Sequence, residues 1–526
     1  MKNNVFKYIL FIFIIILSIF IISIISKQGE NKQGKYQSTD KKEEKVEQTL
    51  NLGIAEFDTM NPILSNNKYV QSIAKTIYEP LLTINNNYEL ENCLVSEWAK
   101  TSETTYVIKI KENINWSNGE KVTTEDILFT IDRLKDSNIY NTLNIIRAEI
   151  VDSMTIKIIL QKEVPFFEYN LNFPIMRKKD YEVENFKNNI SAQKPIGTGK
   201  YTISDIKDNQ IILTKNKNYW NIENEDSQLQ TIKINLYETV GDMYNDFKQG
   251  NIDLLNTNNI DLEEYIGTIG YNKVESIGRE YEYLAFNMKN DILSNIEVRQ
   301  AISCAINKNE IISSIYKGKY ISSDFPITST NWLYQGNKEE KYNIEKAKQI
   351  LLDNGWEFKY NYWQKHINYY TRKINFKLVV NSSNSERVKV AEMIKKQFET
   401  VGIKINIIKA NDYTDNNYKT RKNYDMILCG TYIGTSPDLT RYFGDGNIAN
   451  FQNEEAKTIV NDLKNITDKE MQKEKYKKLY EIYTNEIPYI SLFNNYDITV
   501  YNKNLVGAIS ANWYNMFYNI SNWNKK

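Results

Sequence analysis

The chain has 526 residues, 41% of them hydrophobic and 25% charged, which is too long for one hydrophobic core and ordinary for a soluble protein of two or three lobes. Lys plus Arg and Asp plus Glu balance at 66 each, which argues against nucleic acid as a partner because phosphate neutralisation needs a concentrated basic face. Three widely spaced cysteines, Cys93, Cys304 and Cys429, point to free thiols rather than a disulfide framework, and a lone histidine, His366, is too little for a histidine-based zinc site or a His-dependent triad. No metal or other cofactor is implied.

From the N-terminus, Lys2 and Lys7 precede an apolar run over residues 8–25 that only Ser18 and Ser23 interrupt. Such a run is long enough for a membrane-crossing helix or for the core of a signal peptide. The positive flank predicts a cytoplasmic N-terminus with the bulk of the chain outside. Residues 20–30 hold neither a cysteine nor a small-x-small cleavage site ahead of Lys27, so an uncleaved anchor is expected over 1–26. Residues 27–48 are polar and charged, including Lys41-Lys42-Glu43-Glu44-Lys45, and read as a disordered tether.

The folded module opens at Thr49. Leu50, Leu52 and Ile54 alternate as a strand, the turn Asp58-Thr59-Met60-Asn61-Pro62 follows, and residues 69–78 read as a helix. Residues 106–110 form a strand, and Thr123 with Asp126 three residues on is a capping-box pattern opening a helix whose apolar face is Ile127, Ile131 and Leu134. Trp116 and Trp220 read as core. The single histidine falls in a hairpin-like polar and aromatic stretch, Tyr362-Trp363-Gln364-Lys365-His366.

Further on, residues 376–380 alternate as a strand and the turn Asn381-Ser382-Ser383-Asn384-Ser385 follows. Val388, Ala391, Ile394 and Phe398 then recur at helical spacing until Gly402 stops the helix, and Ile403, Ile405 and Ile407 resume strand spacing. Strand, helix and strand with short turns make a βαβ unit with parallel strands. A short buried strand over 424–428 then empties into the loop Gly430-Thr431-Tyr432-Ile433-Gly434-Thr435-Ser436-Pro437-Asp438. Ligands of open α/β sheets sit beyond the carboxyl ends of the strands, so this loop is the expected ligand site.

A series of phrases in order carries a resemblance. They include Met60-Asn61-Pro62, Ile77-Tyr78-Glu79-Pro80-Leu81-Leu82, Asn118-Gly119 before Thr124-Glu125-Asp126, and Pro195-Ile196-Gly197-Thr198-Gly199-Lys200-Tyr201. Asn216-Lys217-Asn218-Tyr219-Trp220, Gly250-Asn251-Ile252-Asp253, Leu284-Ala285-Phe286-Asn287 and Val298-Arg299-Gln300-Ala301-Ile302 continue it, and 342–355 matches a helix of the second lobe. From about residue 50 to its end the chain resembles the family 5 extracellular solute-binding proteins, the oligopeptide-, dipeptide- and nickel-binding components of ABC importers.

The resemblance implies a periplasmic-binding-protein-like α/β fold, two lobes with a ligand cleft between them plus an extra subdomain in the first. The first lobe would span 49–285, completed by 496–526 and holding the extra subdomain at 80–190; the second would span 286–495. The implied partners are a peptide or other small solute, captured by hinge closure, the permease subunits of an ABC importer, and the membrane through the N-terminal segment. The module is expected to be a monomer and not an enzyme.

From their position, Gly430, Thr431, Tyr432 and Ile433 are the expected ligand contacts, with Asn381 and Ser382 at the end of the neighbouring strand, Met60 in the first turn, and Tyr283 and Asn287 near the crossover between lobes. Each has a structural alternative, among them a packing aromatic for Tyr432, a turn former for Asn381 and a strand-pair cap for Asn287. Many peptide-binding relatives hold the ligand's terminal amine with an aspartate four residues before the loop proline. Here that proline is Pro437 and the residue is Ile433, so either another acid binds the amine or the ligand presents none. Asp438 reads as a helix-start cap. A membrane-tethered ligand sensor or docking protein, or a binder of a non-peptide solute, is the alternative reading.

Overall fold

Two long antiparallel strands, Tyr271–Phe286 and Tyr489–Asn502, run through the middle of the largest sheet in the computed structural model. The structure describes residues 48–182, 194–224, 227–257, 270–336, 341–367, 369–411, 418 and 422–526. The expected anchor, residues 1–26, and the expected tether, 27–48, lie outside these except for Gln48. Among the described residues no helix is long and apolar enough to cross a membrane.

The sheet has seven strands. Its path runs Leu254–Thr257, Tyr489–Asn502, Tyr271–Phe286, Met426–Tyr432, Asn375–Asn381 and Lys404–Ala410, with Tyr320–Ser322 paired to Tyr489–Asn502 off the path. The two long strands pair in separate stretches. Ile277 faces Tyr496, the next pair is Tyr281 with Asn494, and between them Gly278, Arg279 and Glu280 stand against Asn495 alone. Extra residues on one strand form a bulge, which bends the strand and re-aims its side chains. Asn495 fixes it by accepting from the Glu280 amide at 2.9 Å, and Asn494 Nδ2 donates to the Glu280 carbonyl at 3.1 Å. A Cβ at residue 278 would overlap the Asn495 amide, so the close approach requires glycine.

The βαβ unit forms as the spacing predicts. Asn375–Asn381 and Lys404–Ala410 pair in parallel around the helix Ser385–Val401, whose Val390, Ala391, Ile394, Phe398 and Val401 are buried. Asn384 accepts from the Arg387 amide at 2.8 Å to start the helix, and Gly402 ends it at φ 87°. The next strand differs from expectation. Met426–Tyr432 runs parallel to Asn375–Asn381, but its pairing to Tyr271–Phe286 continues to Tyr432 opposite Glu280. Gly430, Thr431 and Tyr432 therefore belong to the strand, and the loop begins at Ile433.

Nearer the N-terminus, Thr49–Ala55, Thr231–Tyr237, Gln210–Lys215 and Tyr201–Lys207 form a four-stranded sheet. Leu50 and Ile54 are fully buried on it beneath the helices Lys68–Ile77 and Val240–Gln249, in a cluster that includes Ile498, Val500 and Trp523 from the end of the chain. A second four-stranded sheet, Val95–Ser102, Thr105–Ile110, Thr155–Leu160 and Ile145–Ile150, carries the helix Thr124–Arg133 with its capping box and a separate cluster around Trp116. Trp220 packs against that cluster half-buried. A further cluster joins Ile84, Tyr88, Phe166 and Tyr169 to Tyr281 and Tyr283 of the crossing strand and to Tyr442, Tyr476 and Tyr483. His366 is exposed in a three-stranded hairpin, Glu357–Lys359, Tyr362–Ile367 and Tyr370–Lys373. All three cysteines are free thiols, with Cys304 and Cys429 buried and Cys93 half-buried.

Candidate ligand-binding site

Four predicted contacts come together where Met426–Tyr432 leaves the sheet beside the bulge. The Ile433 amide donates to the Arg279 carbonyl at 2.7 Å, which carries the strand pairing one step past Tyr432. Tyr432 is 64% exposed, and the Arg279 guanidinium lies 5.0 Å from its ring centroid. The same guanidinium also lies 5.0 Å from the ring of Trp513. The Trp513 indole N–H donates to the Tyr88 hydroxyl at 2.8 Å, so a residue near the chain end is anchored to the segment before the second sheet. Thr431 Oγ1 accepts from Arg441, and the Tyr476 hydroxyl donates to the Pro437 carbonyl, which pins the loop from below. Asp438 accepts from the Thr440 amide at 2.9 Å and its hydroxyl at 2.6 Å. The cap position of Thr440–Phe443 falls on Leu439, which makes no side-chain cap bond, so Asp438 forms a turn one residue ahead of the cap rather than the cap expected.

Beneath Gly430 lies a buried ion pair. Arg387 on the βαβ helix grips Glu282 through Nε at 2.8 Å and Nη2 at 2.6 Å, each side chain 12% exposed. The pair occupies the space a side chain at 430 would need. Burial pushes the Glu282 carboxyl up, and the Arg387 guanidinium offsets part of that. Two-pronged pairing of this kind fixes orientation as well as charge.

The remaining predicted contacts are held by the protein itself. Met60 is 2% exposed in the core with Leu50 and Ile54. Tyr283 is 5% exposed, its ring 5.7 Å from Tyr442 and 5.8 Å from Tyr489. Asn287 donates to the Tyr424 carbonyl at 2.9 Å and accepts from Asn450 at 2.7 Å, so it ties segments together. Asn381 accepts from the Ser383 amide at 3.0 Å as a turn former, and Ser382 donates to the Ala410 carbonyl at 3.0 Å. These five side chains do not join Tyr432 and Ile433 in one constellation.

Sequence reasoning missed Arg279, Arg441 and Trp513. One signal existed: Gly278 interrupts an alternating strand, and a glycine there marks a bulge and a redirected neighbour. Trp513 gave none, since it meets Arg279 only through the fold. A separate polar cavity of about 180 Å³ lies by the helices Lys308–Tyr316 and Lys469–Glu486, lined by Lys308, Asp324, Tyr480, Thr484 and Ser491 among others. Its Lys308 ammonium is held by the Ser323 carbonyl at 2.7 Å.

The sequence model for bacterial extracellular solute-binding proteins, family 5 Middle, matches residues 89–500. Over 480 residues the chain is 24% identical to heme-binding protein A of Haemophilus influenzae, which covers 82% of this chain and 84% of that protein. Over 447 residues it is 22% identical to the oligopeptide-binding protein AppA of Bacillus subtilis, with 77% and 81% covered. The solved structure of HbpA2 from Haemophilus parasuis superposes with a TM-score of 0.74 at 20% identity, covering 91% of this chain and 100% of that one.

Proposed function

This chain belongs to the bacterial extracellular solute-binding proteins, family 5, and from that premise we propose that it captures peptides in a cleft between two lobes and delivers them to the permease of an ABC importer. The fold is the two-lobed α/β fold of that family, and the family works outside the cytoplasm as the solute-binding component of importers. In this reading the first lobe spans 49–285 and 496–526, with 80–190 as an extra subdomain, and the second spans 286–495. The hinge is the bulge at Gly278, Arg279 and Glu280 against Asn495, where the paired strands change register. Domain closure needs a few residues that absorb backbone rotation, and a bulge supplies them.

The single observation that carries the reading is the strand end Gly430–Thr431–Tyr432, which emerges beside that hinge with the Tyr432 side chain facing solvent. An extended peptide laid along a strand end gains main-chain hydrogen bonds irrespective of its sequence, and side-chain pockets then give selectivity. Peptide as the solute is supported by the oligopeptide-binding relative. The apolar run over 8–25 would anchor the chain, residues 27–48 would let the module range over the outer face, and the module would act as a monomer that delivers rather than transforms its ligand. The test is uptake of a labelled peptide mixture by cells with and without the gene. Loss of uptake on deletion is the expected result, and unchanged uptake would sink the importer role. Fractionation of the full-length protein with membranes tests the anchor.

A further inference from the structure

Among the described residues the arginines are accounted for, with one exception. Arg387 holds Glu282, Arg177 holds Glu120 and Asp180, Arg133 pairs with Asp136, Arg147 with Glu149, and Arg372 with Asp291. Arg299, 1% exposed, donates to the carbonyls of Leu293 and Glu486, and Arg441 donates to the Thr431 hydroxyl. Among the described residues Arg279 alone of the arginines has no carboxylate in ion-pair range and no acceptor for its guanidinium N–H groups. It is nonetheless held in place. The rings of Tyr432 and Trp513 each lie 5.0 Å from it. Its own carbonyl is tied to Ile433.

Aromatic rings attract a cation through its face, whereas the five N–H donors of a guanidinium lie in its plane. Two rings therefore hold the group without using its donors. Partial burial also pulls the Arg279 pKa below the usual arginine value, the sign of a cation that has lost hydration without gaining a countercharge. Ile433, its backbone partner, supplies no charge.

We propose that the guanidinium of Arg279, held between Tyr432 and Trp513, is the anion-binding group of the ligand site, so that the solute offers a carboxylate there and not a free ammonium. This rests on the peptide-receptor reading above and narrows it to the class of N-blocked or acidic peptides. A planar carboxylate meets a guanidinium edge with two parallel hydrogen bonds, and hinge closure would shield that pair from water. A ligand ammonium placed there would instead meet a like charge.

The test is calorimetric titration of the full chain, in detergent, with three peptides of one backbone: acetyl-trialanine (anionic), acetyl-trialanine amide (neutral) and trialanine amide (cationic). The anionic peptide is expected to bind about 10- to 100-fold more tightly than the neutral one, the range for a hydrogen bond to a charged group, with the cationic peptide weakest. Arg279→Gln should remove that advantage, bringing the anionic peptide down to the affinity of the neutral one, and a cooperative urea transition like that of wild type shows that the variant is folded. Neutral or cationic peptide binding as tightly as the anionic one would overturn the inference and leave the receptor reading standing. Binding of none of the three would overturn the peptide reading itself, and the inference with it.

Discussion

The amide of Ile433 donates to the carbonyl of Arg279 at 2.7 Å, and that bond ties the start of the candidate ligand loop to the bulge between the paired stretches of the crossing strands. A movement at the bulge therefore moves the loop, and a ligand that orders the loop acts on the bulge. Tyr432, one residue earlier, completes the link by stacking on the Arg279 side chain.

Tyr432→Ala follows directly. The ring is 64% exposed, so its loss costs little core packing, and stability by urea denaturation should change by less than about 1 kcal/mol, the worth of an exposed cation–π contact. Affinity for acetyl-trialanine should fall about three- to fivefold, matching the same contact energy, because Arg279 loses one of its two supports. Unchanged affinity would mean that the stack does not serve binding.

The Glu282–Arg387 pair makes a second prediction. With both side chains 12% exposed, removal of one partner leaves a charge buried and unpaired, so Arg387→Met should cost about 3–5 kcal/mol in urea denaturation. The double variant Glu282→Met with Arg387→Met should recover most of that loss, since apolar replacement of a whole buried pair is often neutral. A double variant as unstable as the single one would show that the pair is required for more than its own compensation.

At the bulge, Gly278→Ala sets a Cβ against the Asn495 amide, which already serves the Glu280 N–H. The expected cost is about 1–3 kcal/mol, the usual range for overpacking a filled site. Because the substituted residue lies in the proposed hinge, small-angle scattering should also show a smaller change on adding peptide than wild type does. An equal scattering change would place the hinge elsewhere.

Glu79 supplies a pH prediction. It is buried between the Tyr219 hydroxyl at 2.8 Å and the Trp220 indole N–H at 2.5 Å, and burial raises its pKa above its ordinary 4.5 although both donors oppose the rise. The folded chain therefore keeps a proton that the unfolded chain has released. Stability from this group is full below the ordinary value and declines as pH rises through the raised one, with a slope of at most about 1.4 kcal/mol per pH unit. Glu79→Gln should flatten that part of the stability profile, measured by urea denaturation from pH 4 upward. A variant profile parallel to wild type would refute the assignment.

Local elements were legible because their signals are local. The helix Ser385–Val401 shows its apolar positions at 3.6-residue spacing, its Asn384 start and its Gly402 stop within nineteen residues, and Thr123 with Asp126 announces the helix Thr124–Arg133 in four. The candidate loop was partly legible for the same reason: a buried strand running into a glycine-bounded stretch is a local pattern, although Gly430, Thr431 and Tyr432 extend the strand rather than follow it. Proximity in a motif says nothing about which face a side chain takes, and Met60 and Tyr283 are both buried.

The sequence by itself determined the family, the βαβ unit, the capped helices and the stretch where a ligand would sit, since each is written in residues a few positions apart. Only the tertiary structure decided that Gly430, Thr431 and Tyr432 remain in the strand, because their partners are Glu282, Tyr281 and Glu280, some 150 residues away. It alone placed Trp513 against Arg279. Pairing across such separations depends on how whole sheets pack, and no local pattern of polarity or propensity encodes it.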